Sequence, residues 1–244
     1  MNTKIFGHRG SAGTHPENTM ISFQQACKDG ADGIELDVQL SKDGVPVVIH
    51  DEKLNRTTNG KGFVKDFTVD ELKKFNAVHK FKDDYTFCEI PTLEEVLIWL
   101  KQTNLIINIE LKNGVILYEG MEEKIVHLVK QHSIEKRVIF SSFNHYSMIK
   151  LKHLAPEIER AVLYMEGLYK PWEYAKWVGA QGIHPYIYAA PSEIIIESQA
   201  NDIKVRPFTV NDEHVMKRLF EVNCHALFTD YPKKAVELRT SLKK

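Results

Sequence analysis

Short apolar runs alternate with longer amphipathic stretches along most of this 244-residue chain, and that alternation limits the folds open to it. An apolar run of about four to eight residues is typical of a buried strand, and a longer amphipathic stretch is typical of a helix packed on one face. Strands separated by helices pair in parallel, because each helix carries the chain back to the same edge of the sheet. The pattern therefore predicts an α/β fold.

The individual segments sharpen this prediction. We expect nine strands, at 4–8, 33–38, 46–50, 105–110, 138–142, 159–164, 182–187, 204–210 and 226–230. We expect eight helices, at 17–29, 92–103, 118–132, 144–154, 171–180, 190–200, 211–222 and 233–242. About eight strand–helix units in about 250 residues favour a (β/α)8 TIM barrel, with an open, doubly wound sheet as the alternative. A turn at 41–44 accounts for the ninth strand, since it predicts that 33–40 and 46–50 pair as an antiparallel hairpin.

One long segment interrupts the alternation. Residues 53–90 are rich in Lys, Asp, Asn and Thr and show only short helical patches, such as 68–75. Long loops inside a compact fold are usually functional or mobile. We therefore expect a single barrel domain over residues 1–244 that carries residues 53–90 as a small inserted subdomain.

Charge and cysteine usage exclude several classes of function. The chain has 32 Lys and Arg against 33 Asp and Glu, a net charge of −1, which gives no support for a nucleic-acid surface. Three scattered cysteines, Cys27, Cys88 and Cys224, argue against a disulfide framework and a cysteine zinc site. The sequence shows no signal-peptide pattern and no apolar run of about 18 residues. We expect a cytoplasmic protein without a transmembrane segment that binds a small molecule; nothing indicates an oligomeric state.

Three carboxylates occupy strand-like stretches. Glu35 and Asp37 are two residues apart, so both side chains point to the same side of their strand, and Glu110 lies at the end of another apolar run. Like charges that are close together and buried need a cation. Oxygen ligands suit Ca²⁺ or Mg²⁺ better than Zn²⁺. The alternative is structural ion pairing with Arg9 and Lys112, and spacing alone gives the two interpretations even weight.

Two histidines also stand at strand ends, where a barrel gathers its active site. His8 precedes Arg9 at the end of the first strand, and His50 ends the third. Histidine titrates near neutrality, so the pair could divide the roles of proton acceptor and proton donor. Arg9 and Lys112 supply fixed positive charge suited to a phosphate oxyanion. No P-loop and no serine or cysteine nucleophile motif occurs.

Seven stretches that contain these residues run in order across nearly the whole chain. They are GHRGSAGTHPENT (7–19), GIELDVQLSKDGVPVVIHDEKLNRTT (33–58), IPTLEEVL (90–97), NIELK (108–112), SSF (141–143), PFTVN (207–211) and FTDYP (228–232). Their joint occurrence resembles the glycerophosphodiester phosphodiesterase family.

The resemblance implies a (β/α)8 barrel with one divalent cation, Ca²⁺ or Mg²⁺, that hydrolyses a glycerophosphodiester to sn-glycerol 3-phosphate and an alcohol. It implies that Glu35, Asp37 and Glu110 hold the metal, that His8 and His50 are the acid–base pair, and that Arg9 and Lys112 meet the phosphate. By the same analogy the glycerol 2-hydroxyl is the first nucleophile. The sequence leaves open which histidine is the acid. Two rivals also stay open: a lysophospholipase D-type phosphodiesterase and a non-catalytic barrel that binds phosphorylated ligands.

The resemblance assigns some residues less directly. Phe208, in PFTVN, stands where the family usually has Trp, so an aromatic wall for the substrate is kept while an indole N–H is lost. Glu17 is expected to support the site, and Asn18 to be a helix N-cap. Trp172, Tyr186 and Tyr188 could form an aromatic rim, but we expect ordinary packing.

Overall fold

A computed structural model describes residues 2–242, with the exception of the side chain of His79. Within this range the strands are β1 (Lys4–Gly7), β2 (Gly33–Leu40), β3 (Pro46–Val48), β4 (Ile106–Leu111), β5 (Val138–Ser142), β6 (Glu159–Tyr164), β7 (Gly182–Pro185), β8 (Lys204–Val205) and β9 (Ala226–Thr229). The α-helices are α1 (Met20–Lys28), α2 (Val69–Leu72), α3 (Leu93–Leu100), α4 (Met121–Gln131), α5 (His145–Leu154), α6 (Pro171–Val178), α7 (Ser192–Ala200), α8 (Glu213–Glu221) and α9 (Pro232–Ser241).

Eight of these strands form one parallel sheet that curves into a barrel. Neighbours in the sheet follow the order β8-β7-β6-β5-β4-β2-β1-β9, and every pair along this path is parallel. The two ends of the sheet also meet, because the backbone N–H of Phe228 donates to the carbonyl of Pro207 at 3.0 Å and that of Val210 donates to the carbonyl of Phe228 at 2.8 Å. The predicted TIM barrel is therefore confirmed, and the open sheet is wrong.

The ninth strand is the predicted antiparallel partner. β3 pairs with β2 in the register Val38↔Val48 and Leu40↔Pro46. Gly44 in the connecting turn has a φ of +76°, a conformation that glycine adopts without strain. The hairpin is confirmed, and it lifts the residues after β3 to the carboxyl-terminal end of the barrel.

Capping residues set where two helices begin. Thr92 and Glu95 exchange side-chain and backbone hydrogen bonds in the capping box that opens α3. The helix predicted from residue 17 begins only at Met20, because the side chain of Thr19 accepts the Ser22 N–H and serves as the N-cap. The expectation that Asn18 caps this helix is therefore wrong, and Asn18 is used elsewhere.

Burial separates a main core from a smaller one. All eight residues of β2 are buried, as expected for a strand covered by helices outside the barrel and side chains inside it. Residues 53–90 contribute to a second buried cluster against β3, which includes Leu54, Val64 and Leu72. Within residues 2–242, no helix is both long and apolar enough to cross a lipid bilayer.

An ion pair fills the amino-terminal end of the barrel. Arg206 is 2% exposed, and its Nη2 donates to Oε1 of Glu159 at 2.6 Å. Lys204 pairs with the other carboxylate oxygen of Glu159. The predicted site residues lie at the opposite, carboxyl-terminal end of the barrel.

Candidate active site

The three predicted carboxylates come together at the carboxyl-terminal end of two adjacent strands. Glu35 and Asp37 project from the same face of β2, and Asp37 is the register partner of Glu110 on β4. One oxygen from each of the three residues lies within 4.8 Å of the others. Their exposed fractions are only 3%, 1% and 8%, respectively. This geometry is a buried, all-oxygen cluster of the kind that a hard divalent cation occupies.

The charges in this cluster are only partly balanced. Burial, together with the neighbouring carboxylates Asp37 and Glu110, raises the pKa of Glu35 well above its usual range. Burial acts in the same direction on Asp37, but the positive charges of Arg9 and Lys112, together with the hydrogen bond from Asn18, outweigh it and hold the pKa of that carboxyl low. Glu35 Oε1 is buried and has no hydrogen-bond partner. Without a cation the cluster therefore disfavours a third negative charge, and it has an oxygen available to a cation.

Arg9 is held against this cluster by its backbone as well as its side chain. Its φ is +51°, a left-handed conformation that is strained for a residue with a Cβ. In this conformation its N–H donates to Glu35 Oε2 at 2.9 Å, while its Nε lies 3.3 Å from Asp37 Oδ2. The next residue, Gly10, has a φ of +84°, and a Cβ there would overlap the backbone of Ser22. A tight left-handed turn thus presents the guanidinium beside the carboxylates.

The first histidine is oriented by a carboxylate from the last strand. His8 follows β1, and its Nδ1 lies 2.7 Å from Oδ1 of Asp230, which follows β9. The other oxygen of Asp230 accepts a hydrogen bond from Asn211 at 2.6 Å. Because Nδ1 is bound to a carboxylate, Nε2 is the ring nitrogen left to exchange a proton. Asp230 lies in the quoted stretch FTDYP, but its local sequence does not indicate that it pairs with His8.

The second histidine is held at both ring nitrogens. His50 Nδ1 lies 2.6 Å from Oδ1 of Asp51, and its Nε2 lies 3.2 Å from Nζ of Lys112. Lys112 also donates to Oε1 of Glu110 at 2.9 Å. A lysine ammonium can only donate, so His50 Nε2 carries its lone pair here and Nδ1 carries the proton. The ring is thus poised as a proton acceptor.

A second set of polar and charged side chains contacts these groups from behind. Glu17 accepts hydrogen bonds from Arg9 and Arg56, each at 2.8 Å, which agrees with its expected supporting position. Asn18 donates to Asp37 Oδ2 at 2.8 Å, so it contacts the carboxylate cluster. Arg56 was not predicted as a site residue, because nothing in its local sequence indicates that it reaches back to residue 17.

Aromatic side chains line the side of the barrel opening that faces the charged groups, and this opening is called the mouth below. The ring of Phe208 packs edge-on against Phe143 with centroids 5.9 Å apart and lies 6.0 Å from Tyr186. Tyr188 packs against Tyr186 and is 85% exposed. Phe143 in turn lies 5.8 Å from Lys112 Nζ, which connects the aromatic side to the charged side.

The expectation that Trp172, Tyr186 and Tyr188 are ordinary packing residues is wrong for Tyr188, because its side chain is largely exposed. Trp172, in contrast, is buried in the main core, as expected.

Comparisons with known proteins identify the family and the fold of the chain. The chain matches the model of the Glycerophosphoryl diester phosphodiesterase family over residues 8–234. It is 48% identical over 244 residues to a glycerophosphodiester phosphodiesterase of Bacillus altitudinis, covering 99% of this chain and 100% of that protein. It is 43% identical over 238 residues to a glycerophosphodiester phosphodiesterase of Caldanaerobacter subterraneus, covering 98% of each. A solved Oleispira antarctica phosphodiesterase in complex with the product sn-glycerol-3-phosphate superposes with a TM-score of 0.91 at 33% identity, covering 96% of each chain.

Proposed function

The chain belongs to the glycerophosphoryl diester phosphodiesterase family, and from that membership we propose that it hydrolyses glycerophosphodiesters to sn-glycerol 3-phosphate and an alcohol. Its enzyme class is that of the family, a phosphoric diester hydrolase. Glycerophosphocholine and glycerophosphoethanolamine are the substrates we propose. The observation that carries the proposal is the buried carboxylate cluster, flanked by two histidines that each have a carboxylate on Nδ1.

Glu35, Asp37 and Glu110 are the proposed ligands of one divalent cation, Ca²⁺ or Mg²⁺. The fit rests on three buried carboxylates with oxygens within 4.8 Å of one another and on the unpartnered oxygen of Glu35. Carboxylate oxygens without sulfur or imidazole nitrogen suit these hard cations. When bound, the cation would supply Lewis-acid polarisation of a phosphate or hydroxyl oxygen.

Arg9 and Lys112 are the proposed phosphate contacts. Both are mostly buried, with side chains 16% and 13% exposed, and both already lie against carboxylates of the cluster. A phosphodiester carries one negative charge, and more charge develops on its oxygens as the new bond forms. Positive groups fixed in place before the reaction stabilise that charge without reorganising.

The two histidines divide the proton transfers. His50, whose Nε2 carries a lone pair, takes the proton of the glycerol 2-hydroxyl as that oxygen bonds to phosphorus. His8 gives the proton on its Nε2 to the oxygen of the leaving alcohol. A cyclic phosphate results, and water opens it with the two roles reversed, which restores both rings. Asp51 and Asp230 hold the rings in the required orientation.

Phe208 is the proposed wall for the alcohol that leaves. It lies on the aromatic side of the mouth with Phe143 and Tyr186, opposite the charged side that takes the phosphate. An aromatic wall accepts a choline group through cation–π attraction and accepts apolar groups through burial. We therefore expect Phe208 to influence the choice of head group rather than the chemistry.

The test is release of sn-glycerol 3-phosphate from glycerophosphocholine by the full-length protein in Ca²⁺ or Mg²⁺. His8→Ala and His50→Ala are measured beside it, and each is expected to lose most turnover while keeping its fold. Wild-type turnover in either variant would refute the acid–base assignment. Release only from lysophospholipids would favour the lysophospholipase D-type alternative, and no release from any diester would favour the non-catalytic barrel.

A further inference from the structure

Arg56 bridges two carboxylates that each hold a different part of the site. Its Nη1 and Nη2 donate to the two oxygens of Glu17, both at 2.8 Å. Its Nε and Nη2 donate to the two oxygens of Asp51, at 2.8 and 3.0 Å. A guanidinium is planar and can engage a carboxylate along each of two edges, which an ammonium cannot do. Arg56 uses both edges at once.

Beyond each carboxylate lies a residue with a proposed role in the reaction. Glu17 Oε1 also accepts a hydrogen bond from Arg9 at 2.8 Å. Asp51 Oδ1 also bonds to Nδ1 of His50 at 2.6 Å. The side chains therefore form one unbroken chain of alternating charge, from the phosphate-contacting arginine to the proton-accepting histidine.

The position of Arg56 in the fold makes this arrangement unusual. Arg56 lies in the 53–90 segment outside the parallel strands, and its side chain is 43% exposed. Exposed ion pairs contribute little to stability, so stability alone is a weak reason for four hydrogen bonds on one guanidinium. Alignment of the groups behind it is a stronger reason, because the orientation of an imidazole depends on the partner of its other nitrogen.

We propose that Arg56 is a positioning residue, which fixes the His50 ring through Asp51 and the Arg9 guanidinium through Glu17. This proposal rests on the proposed function, since it assigns Arg56 to the same reaction. It makes the 53–90 segment a structural support of the active site. In this role Arg56 acts on the reaction only through Asp51 and Glu17.

The two branches predict different kinetic effects. Without its Arg56 partner, Asp51 can rotate and no longer fixes the imidazole, which slows the proton transfer and lowers kcat. Without its Arg56 partner, Glu17 has only Arg9 to pair with, so Arg9 is drawn away from the phosphate and KM rises. Asp51→Asn should therefore lower mainly kcat, and Glu17→Gln should change mainly KM. Arg56→Gln should lower kcat and raise KM.

The competing explanation is that Arg56 merely ties the 53–90 segment to the barrel. Lys73 offers a matched control, because it lies in the same segment and also pairs with two carboxylates, one inside the segment and one outside it. Its Nζ lies 3.2 Å from Oε2 of Glu89 and 2.6 Å from Oε1 of Glu95, a residue in the first turn of helix α3. Lys73→Gln removes a tether of the segment and leaves the Arg56 contacts in place.

The kinetic test compares these variants on glycerophosphocholine. Arg56→Gln is expected to lower kcat about 10- to 100-fold, the usual effect of removing a group that orients a site residue. Adding Asp51→Asn to Arg56→Gln should lower kcat little further, since both act through one ring. Arg56→Lys should recover part of the loss, and Lys73→Gln should stay within about twofold of wild type. Equal losses in Arg56→Gln and Lys73→Gln would overturn the proposal.

A second measurement does not depend on activity, so it separates failure of this proposal from failure of the proposed function. The Nδ1 proton of His50 is followed by NMR of ¹⁵N-histidine-labelled protein and assigned by its loss in His50→Gln. Arg56→Gln should broaden or shift this resonance, whereas the Nδ1 proton of His8, bound to Asp230, should stay unchanged. An unchanged His50 resonance in Arg56→Gln would overturn the positioning role, whether or not the protein cleaves a diester.

Discussion

Replacing Glu35 by Gln should stabilise the metal-free protein and abolish the stabilisation that Ca²⁺ or Mg²⁺ gives to the wild type. Glu35 is 3% exposed, and its Oε1 has no partner. An unsatisfied buried polar atom costs about 1–3 kcal/mol, more when it is charged. Gln keeps an oxygen for the Arg9 N–H and offers an amide to the neighbouring carboxylates. For a chain of this size, about 1 kcal/mol shifts Tm by roughly 2–4 °C, so a rise of several degrees is expected.

The stability that Glu35→Gln gains over the metal-free wild type should depend on pH in one direction. Because the folded-state pKa of Glu35 is raised by burial, Asp37 and Glu110, protonation stabilises the folded state. That contribution is fully present below the unfolded pKa of about 4.3 and is lost as pH rises through the raised value. The advantage of Glu35→Gln without metal should therefore grow as pH increases. With a cation at about 100 times its Kd, the wild type should gain about 2.7 kcal/mol and the variant almost nothing.

The assay is thermal unfolding in chelator and in Ca²⁺ or Mg²⁺, over a range of pH. Glu159→Gln is the matched control, since Glu159 is a largely buried carboxylate at the opposite end of the barrel with Arg206 as its partner. It should lose stability and keep the full response to metal. A metal-free Glu35→Gln protein that is less stable than the wild type, or one that retains the metal response, would refute the reasoning.

Three further predictions follow from the contacts. On a substrate with a nitrophenol leaving group, which needs no protonation, His8→Ala should recover much of its lost kcat and His50→Ala should not; the opposite pattern would reverse the acid and base. Phe208→Ala should lower kcat/KM for glycerophosphocholine about 2- to 10-fold, in line with the worth of one aromatic contact, and Phe208→Trp should not; equal kcat/KM values would exclude a role for the wall. Burial alone would raise the pKa of Glu159, but the charges of Arg206 and Lys204 outweigh burial and lower that pKa. The stability that ionised Glu159 gives to the fold is therefore present above its unfolded pKa and is lost as pH falls through its lower folded pKa. The Tm difference between wild type and Glu159→Gln should shrink in acid, and a constant difference would contradict this.

The sequence predicted the carboxylate cluster because two simple regularities determine it. Residues two apart share a face of a strand, which places Glu35 beside Asp37, and parallel strands end at the same edge, which brings Glu110 to them. Both regularities act through the backbone, so no side-chain detail was needed. The hairpin of β2 and β3 was predictable for a different local reason, because residues 41–44 have the sequence of a turn.

Contacts between side chains far apart in the sequence could not be predicted from these backbone regularities. Asp230 reaches His8 across 222 positions, and Arg56 reaches Glu17 across 39. Such pairs depend on where loops return to the barrel, which local patterns do not encode. Asn18 shows the same limit, because its capping preference was outweighed by a buried partner, Asp37, that becomes its neighbour only in the fold.

The central claim is that one divalent cation held by Glu35, Asp37 and Glu110 makes this chain a diesterase. The most direct test is to strip the protein with chelator, restore Ca²⁺ or Mg²⁺ in steps, and measure bound metal and sn-glycerol 3-phosphate release in the same samples. We predict that release rises in proportion to bound metal and reaches its maximum at about one ion per chain, with Asp37→Asn binding little and releasing little. Full release by the stripped protein, with no bound metal, would contradict the account.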